Sequence, residues 1–174
     1  AIEETQLHYK DDDQMIPPED FEQKGKLAKE ASEIVLKALY GARLARLDLL
    51  WTVNALAREV TKWTVACDKR LHCLMCYINS TKDDVMTSHV GDRPEDCRLV
   101  MFVDASFAGD LIDSKSTTGV IMVLEGPRTF CPISWICKKQ GAISHSSTEA
   151  EIIALDTGLR MQGIPLISLW ELVI

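Results

Sequence analysis

The spacing of apolar residues changes once along this chain, and that change constrains the fold more than any other feature. From Leu27 to Ala42 apolar residues recur at three- and four-residue steps, which indicates one face of a helix. Further helices are predicted over about Leu47 to Val60 and Val65 to Asn79. Beyond residue 96 the apolar residues form short continuous or alternating runs, which are typical of strands. The sequence therefore predicts an α+β fold with its helical segment first.

A polar segment, "NSTKDDVMTSHVGDRPEDC", separates the two patterns. It contains Gly91 and Pro94 and has the composition of a linker or a short hairpin. We expect a helical segment over residues 1–95 and a second domain over residues 96–174. Within the first segment, residues 1–23 are polar and contain paired prolines, so an extended lead-in is expected there.

Three strands are predicted in the second domain. Leu99 to Val103 is a continuous apolar run, which indicates a central strand buried on both faces. Thr118 to Leu124 is the second strand. The stretch "FCPISWICKK" alternates as a third strand, and its proline indicates a strand start or a sheet edge. These short segments predict a small, mainly antiparallel sheet.

A helix should follow the third strand. Ser146 with Glu149 three residues later forms a capping box, in which the acid reaches back to free backbone amides. The helix is predicted to continue to about Gln162. Gly163 and Pro165 should then break or kink it. We expect this helix to pack on the sheet.

Two further acids indicate a candidate site. Glu151 shares a helical face with Ala154, Leu155 and Gly158, and this face is expected to pack on the sheet. Asp104 stands at the end of the first predicted strand. Charges in such positions are costly unless something pairs them. A shared cation would pair both, and Mg²⁺ suits oxygen ligands; two such ions can support phosphodiester cleavage. The alternative is that Asp104 simply caps a turn.

Overall charge limits how this chain could contact nucleic acid. The formal net charge is −7, whereas proteins that grip phosphate backbones over a broad surface are usually basic. Any nucleic-acid contact must therefore be local or run through metal ions. No apolar targeting segment or stretch long enough to span a membrane is found, so we expect an intracellular protein, in the cytoplasm or nucleus, with mostly reduced cysteines.

Cys73 and Cys76 form a pair with metal-ligand spacing. A structural zinc site usually needs two such pairs, and only this one is present. The preferred interpretation is that both are small apolar residues packed in a helix. A metal-binding or redox role remains the alternative.

Four motifs in fixed order resemble a known family. The stretches "VDASFAGDLIDSKSTTGVIMVLEG" and "ISWICKKQGAISHSSTEAEIIAL" closely resemble the ribonuclease H domain of copia-type retrotransposon polyproteins. They contain its acid-bearing first strand, "KSTTG" loop, "ISW" strand and "SSTEAE" helix start. The upstream stretch "LYGARLARLDLLWTVNALAREVTKW" resembles the end of the reverse transcriptase. The "YKDDD" of Tyr9 to Asp13 imitates a polymerase motif, but polar residues and prolines follow it instead of an apolar strand.

The resemblance implies roles for individual residues. Asp104 and Glu151 match the first and second metal-binding carboxylates of enzymes that cut the RNA strand of RNA–DNA hybrids with two Mg²⁺ ions. Lys138 and Lys139 match positions that could touch a phosphate, or they are a solvated strand end. The remaining matched loop residues are interpreted as structural: Asp110, Asp113, Lys115 and Ser116.

The sequence also departs from the family. Its third and fourth carboxylates find no match here, and Asp156 points roughly 140° away from Glu151 on a helix. We therefore expect a truncated ribonuclease H-like domain whose catalytic activity is incomplete. The alternative is a non-catalytic structural or interaction subunit that binds a protein partner through the apolar C-terminal stretch "GIPLISLWELVI".

Overall fold

The computed structural model describes residues 16–109 and 113–173. The described residues up to Asp84 form one compact unit, and those from Val85 onward form a second. The division falls inside the polar segment between the two sequence patterns. The "YKDDD" stretch and Asp110 lie outside the described residues.

The first unit is helical, as predicted. Its helices are α1 (Ala31–Leu44), α2 (Leu50–Arg58) and α3 (Val65–Ser80), with short 3₁₀ turns between them. α1 begins four residues after Leu27, where the periodicity starts. The buried apolar side chains of the unit come from all three helices and include Val35, Val53, Leu56, Leu71 and Leu74.

Two carboxylates connect separate segments of this unit. Asp68 on α3 accepts hydrogen bonds from the Lys26 amide (2.6 Å) and from the Trp63 indole N–H (2.7 Å). Asp48 accepts hydrogen bonds from Arg46 Nη2 (2.7 Å) and the Tyr77 hydroxyl (3.1 Å). The hydrogen bond from Arg46 lowers the pKa of Asp48 below its ordinary value, and it outweighs the opposing effect of burial.

The second unit contains a three-stranded antiparallel sheet. Its strands are β1 (Arg98–Ser106), β2 (Thr117–Gly126) and β3 (Thr129–Lys139), in the order β1-β2-β3. The α+β fold class and the antiparallel sheet are thus confirmed.

The prediction that the first strand is central and buried on both faces is wrong. β1 pairs only with β2 among the described residues, so β2 is the central strand. Phe102 on β1 is 53% exposed, whereas Val120 and Val123 on β2 are almost fully buried. Apolar side chains on both faces of β1 gave it a sequence pattern that a buried central strand would also have.

The helix α4 (Ser147–Gly158) packs on β1 and β2. The predicted capping box is present: Ser146 Oγ accepts from the Glu149 amide (3.1 Å), and Glu149 Oε2 accepts from the His145 amide (2.6 Å). Ala150 and Ala154 are fully buried. These small side chains let the helix lie close to the sheet.

The predicted break after α4 takes the form of a change in helix type. A π-helical turn, Leu159–Gly163, connects α4 to α5 (Ile164–Trp170), and Pro165 stands in the first turn of α5. The helices found within the two described ranges include none long and apolar enough to cross a membrane.

Candidate functional site

The carboxylate of Glu151 contacts β1 at the residue that follows Asp104. Asp104 lies on β1 opposite Gly119 of β2. Glu151 lies in the second turn of α4, and its Oε1 accepts a hydrogen bond from the Ala105 amide (3.3 Å). That amide belongs to the peptide group joining Asp104 to Ala105. The structure therefore brings the Glu151 carboxylate against the backbone that carries Asp104.

Both carboxylates are exposed, which differs from the expectation that they point inward. The packing stripe of α4 consists of Ala150, Ala154 and Gly158, and Glu151 lies at its border, about 60° around the helix from Ala154. Leu155, expected in the stripe, is 46% exposed. The two charges are therefore not buried as expected, although Glu151 contacts the strand residue next to Asp104.

The donor set at this edge suits a hard cation. No ion pair engages Asp104 or Glu151 within the described part of the chain. Mg²⁺ is commonly bound by one or two carboxylates while keeping several waters, and exposed oxygens leave room for those waters. No group of three or more His, Cys, Asp or Glu side chains that could hold a metal is found in the ranges described. Asp104 and Glu151 are thus carboxylates of the ligand type that Mg²⁺ prefers.

The loop before β2 is held by its own polar side chains. Asp113 Oδ1 accepts from the Lys115 amide (3.2 Å) and forms an ion pair with Lys139 Nζ (2.8 Å). Ser116 is fully buried, and its Oγ accepts from the Ala108 amide (3.2 Å). These contacts hold the loop to itself and to the end of β3.

The two lysines differ in their surroundings. Lys139 is paired with Asp113, whereas Lys138 is exposed. Both lysines border a small cavity of about 100 Å³ on the side of the sheet that α4 covers. Thr118, Gln140, Ile153 and Thr157 also line this cavity.

A buried glutamine near the site was missed by sequence reasoning. Gln140, 5% exposed, directly follows β3. Its Nε2 donates to Thr118 Oγ1 (3.1 Å) and to the Ala150 carbonyl (2.9 Å), and its Oε1 accepts from Ser144 Oγ (3.1 Å). Hydrophobic periodicity gives no signal for a buried polar residue in a connection. The available signs were its position between a strand end and a capping box and its place in the stretch "ISWICKKQGAISHSSTEAEIIAL".

The cysteine pair on α3 is more exposed than predicted. Cys73 and Cys76 are both free and exposed, so the expectation that they are packed in the helix interior is wrong. Cys76 Sγ lies 3.6 Å from His72 Nε2, one helical turn away. Leu71 and Leu74 form the buried face of α3 instead.

Comparison with known proteins finds relatives among the polyproteins of plant transposons. The chain is 30% identical over 156 residues, 83% of its length, to the retrovirus-related Pol polyprotein from transposon TNT 1-94 of Nicotiana tabacum. It is 32% identical over 117 residues, 67% of its length, to the corresponding polyprotein from transposon RE2 of Arabidopsis thaliana. It covers 10% and 8% of these proteins. A third relative, secreted RxLR effector protein 161 of Plasmopara viticola, is 41% identical over 63 residues, 36% of this chain and 42% of the effector.

No family model and no solved structure matches the chain. The chain spans about a tenth of the length of the transposon polyproteins that it matches. Its homologues nevertheless include retrovirus-related Pol polyproteins of plant transposons, so the chain is related to this class of retroelement protein.

Proposed function

We propose that this chain is the segment of a copia-type retrotransposon polyprotein in which the end of the reverse transcriptase leads into the ribonuclease H domain. Asp104 and Glu151 would be the first two carboxylates of a Mg²⁺ site that cleaves RNA in RNA–DNA hybrids. The observation that carries this proposal is the hydrogen bond between Glu151 and the amide following Asp104. This contact joins distant parts of the sequence next to Asp104, and it supports a site shared by the two acids.

The local chemistry supports a role for metal ions. Two neighbouring carboxylates in a chain of net charge −7 would repel a phosphodiester, so a substrate at this edge needs a bridging cation. Mg²⁺ in such sites activates water and stabilises the leaving oxygen. The exposure of both acids leaves space for a nucleic-acid backbone beside them. Lys138 is the exposed cation that we assign to phosphate contact.

A metal-binding measurement tests this proposal. Wild-type protein should bind Mn²⁺, used as a probe for Mg²⁺, in isothermal titration calorimetry. Asp104→Asn and Glu151→Gln should each weaken binding by at least about tenfold, because even outer-shell partners of metal sites change affinity by about that factor. Asp156→Asn is the matched control, since Asp156 lies on the same helix but pairs with Arg160 (2.8 Å). Equal affinity in all four proteins would reject the site.

Cleavage activity of this chain alone should be low. The family resemblance implies four carboxylates, and Asp104 and Glu151 supply two of them. With half of the ligand set, the expected hydrolysis of a labelled RNA–DNA hybrid in Mg²⁺ is close to background. Efficient cleavage that Asp104→Asn abolishes would show that two carboxylates suffice and would overturn this part of the proposal.

A second candidate function is binding to a protein partner. Ile164, Ile167 and Leu169 of α5 are all at least half exposed, which is unusual for three large apolar side chains on two helical turns. Light scattering after size exclusion tests this candidate. Ile167→Glu should reduce self-association or mixed assembly, whereas Ile152→Glu on α4 is the control. A monodisperse wild-type monomer at high concentration would count against an interaction role.

A further inference from the structure

We propose that Gln140 is the positioning residue that fixes Glu151 relative to Asp104. The inference rests on the proposed function for its chemical meaning, but the geometric claim can be tested without it. Gln140 is not expected to touch metal or substrate. Its role would be to hold the first turns of α4 at a fixed position on the edge of the sheet.

The first connection between α4 and the sheet is made by the side chain of Gln140. Its Nε2 donates to the carbonyl of Ala150, the residue immediately before Glu151. The same nitrogen donates to Thr118 Oγ1 on the central strand β2. One amide group therefore joins the helix backbone to the sheet, one residue away from the candidate acid.

A second connection links Glu151 to the sheet through the paired strands β1 and β2. Thr118 lies directly opposite Ala105 in the β1–β2 register. The Ala105 amide in turn donates to Glu151 Oε1. Glu151 is thus attached to the sheet twice, through its own carboxylate and through the carbonyl before it, and both attachments meet at the Ala105–Thr118 pair.

Hydrogen bonds to its neighbours fix the orientation of the Gln140 side-chain amide. Its own amide N–H donates to the Ser116 carbonyl (2.8 Å), and its Oε1 accepts from Ser144 Oγ. Gln140, Thr118 and Ser144 are each at most 5% exposed, so water does not replace these bonds. A glutamate here would lack the two side-chain N–H donors, and a methionine would keep only the backbone hydrogen bond to Ser116.

We expect the hydrogen bonds of Gln140 to determine how precisely Glu151 is positioned. Ligands of a catalytic metal must be held within about 0.5 Å of their working geometry by the residues that support them. Glu151 is exposed and cannot be held by packing, so its position depends on the helix backbone beneath it. Loss of the Gln140 bridge should let the first turns of α4 move relative to β1.

The test uses the Ala105 amide as a reporter. Its proton chemical shift in a ¹H–¹⁵N NMR spectrum reports the hydrogen bond to Glu151, and Glu151→Ala supplies the value without that bond. In Gln140→Met the Ala105 shift should move to the Glu151→Ala value, and its hydrogen exchange should quicken by about tenfold, as loss of a bond to a charged acceptor implies. A merely structural role would lower stability without this local change.

Matched variants separate positioning from general destabilisation. Thr129→Val removes a buried hydroxyl at the other end of β3, where Thr129 donates to Asp92 (2.8 Å). It should leave the Ala105 shift unchanged. If Gln140→Met does not fold, Thr118→Val and Thr118→Ser provide the same test, because only serine keeps the hydroxyl that accepts from Gln140. The valine variant should move the Ala105 shift, and the serine variant should retain it.

The outcomes distinguish this inference from the proposed function. An unchanged Ala105 shift in folded Gln140→Met or Thr118→Val overturns the positioning role, whatever Mn²⁺ does. A moved shift supports it, even if wild-type protein binds no Mn²⁺ and the metal site is rejected. If both proposals hold, Gln140→Met should also weaken Mn²⁺ binding by about tenfold, the range expected for a supporting residue.

Discussion

Glu151 on α4 accepts a hydrogen bond from the backbone amide of Ala105 on β1, 46 residues earlier in the chain. This contact sets a helix of the second unit against the edge of its sheet at the residue after Asp104. Both acids remain exposed. The candidate site is therefore built at the surface, and its charges add little to the folding cost of the unit.

The first prediction concerns stability and metal at Asp104. Asp104→Asn should change the free energy of unfolding by no more than about 0.5 kcal/mol, because an exposed side chain outside any ion pair contributes little. MgCl₂ should raise the melting temperature of the wild type but not of the variant, since a ligand that binds only the folded state stabilises it. Calorimetry with NaCl at equal ionic strength is the control. A large loss of stability would mean that Asp104 has a structural role.

The second prediction compares two helical glycines. A Cβ at Gly158 would lie 3.1 Å from Met101 Sδ and 3.2 Å from Val120 Cγ2, whereas a Cβ at Gly41 would meet nothing within 4 Å. Gly158→Ala should therefore destabilise the second unit by about 1 kcal/mol, since Val120 is stiff and buried. Gly41→Ala should stabilise the first unit by about 0.5–1 kcal/mol. Urea denaturation measures both, and equal signs would contradict the close helix–sheet contact.

The third prediction concerns the start of α4. Ser146→Ala removes the acceptor for the Glu149 amide and should cost about 1 kcal/mol of stability. Ser146→Thr keeps the hydroxyl and should lose much less. Thermal unfolding followed by circular dichroism compares the two variants. A similar loss in both would show that size at this position matters more than the cap.

The fourth prediction is a pH dependence of the first unit. Because the pKa of Asp48 is lowered in the folded state, its contribution to stability is complete above the ordinary value of 3.8 and is lost as pH falls through the folded value. The difference in unfolding free energy between wild type and Asp48→Asn should therefore shrink below about pH 4. Tyr77→Phe should keep most of the pH dependence, because Arg46 is the main cause of the shift. A difference that stays constant from pH 7 to pH 3 would contradict this account.

Local patterns in the sequence predicted the elements well. Helical periodicity located α1 to α3, and the spacing of Ser146 and Glu149 located the start of α4. The environment of β1 could not be obtained in this way. An apolar run such as Leu99 to Val103 is compatible with a buried strand or with an edge strand that has one uncovered face, and only the pairing decides between them.

The candidate site was predictable in part. Asp104 and Glu151 were selected from their positions on a strand and a helix, and the resemblance to a known family selected the same two. The exposure of Glu151 could not be predicted, because it borders the buried stripe of α4, which Ala150 completes together with Ala154 and Gly158. Gln140 gave no periodic signal at all, since it lies in a connection and bonds two side chains and one backbone carbonyl from separate parts of the chain.

The outer edge of β1 has a practical consequence for anyone who expresses this segment. Leu99 to Val103 contains no proline, lysine or other charge, and no strand covers that side within the described chain. Natural proteins usually protect such edge strands, because their unpaired backbone amide and carbonyl groups can pair with a strand of another molecule. Purified protein should therefore tend to aggregate through this edge, and Phe102→Lys, at an exposed position of β1, is the simplest change expected to keep it dispersed.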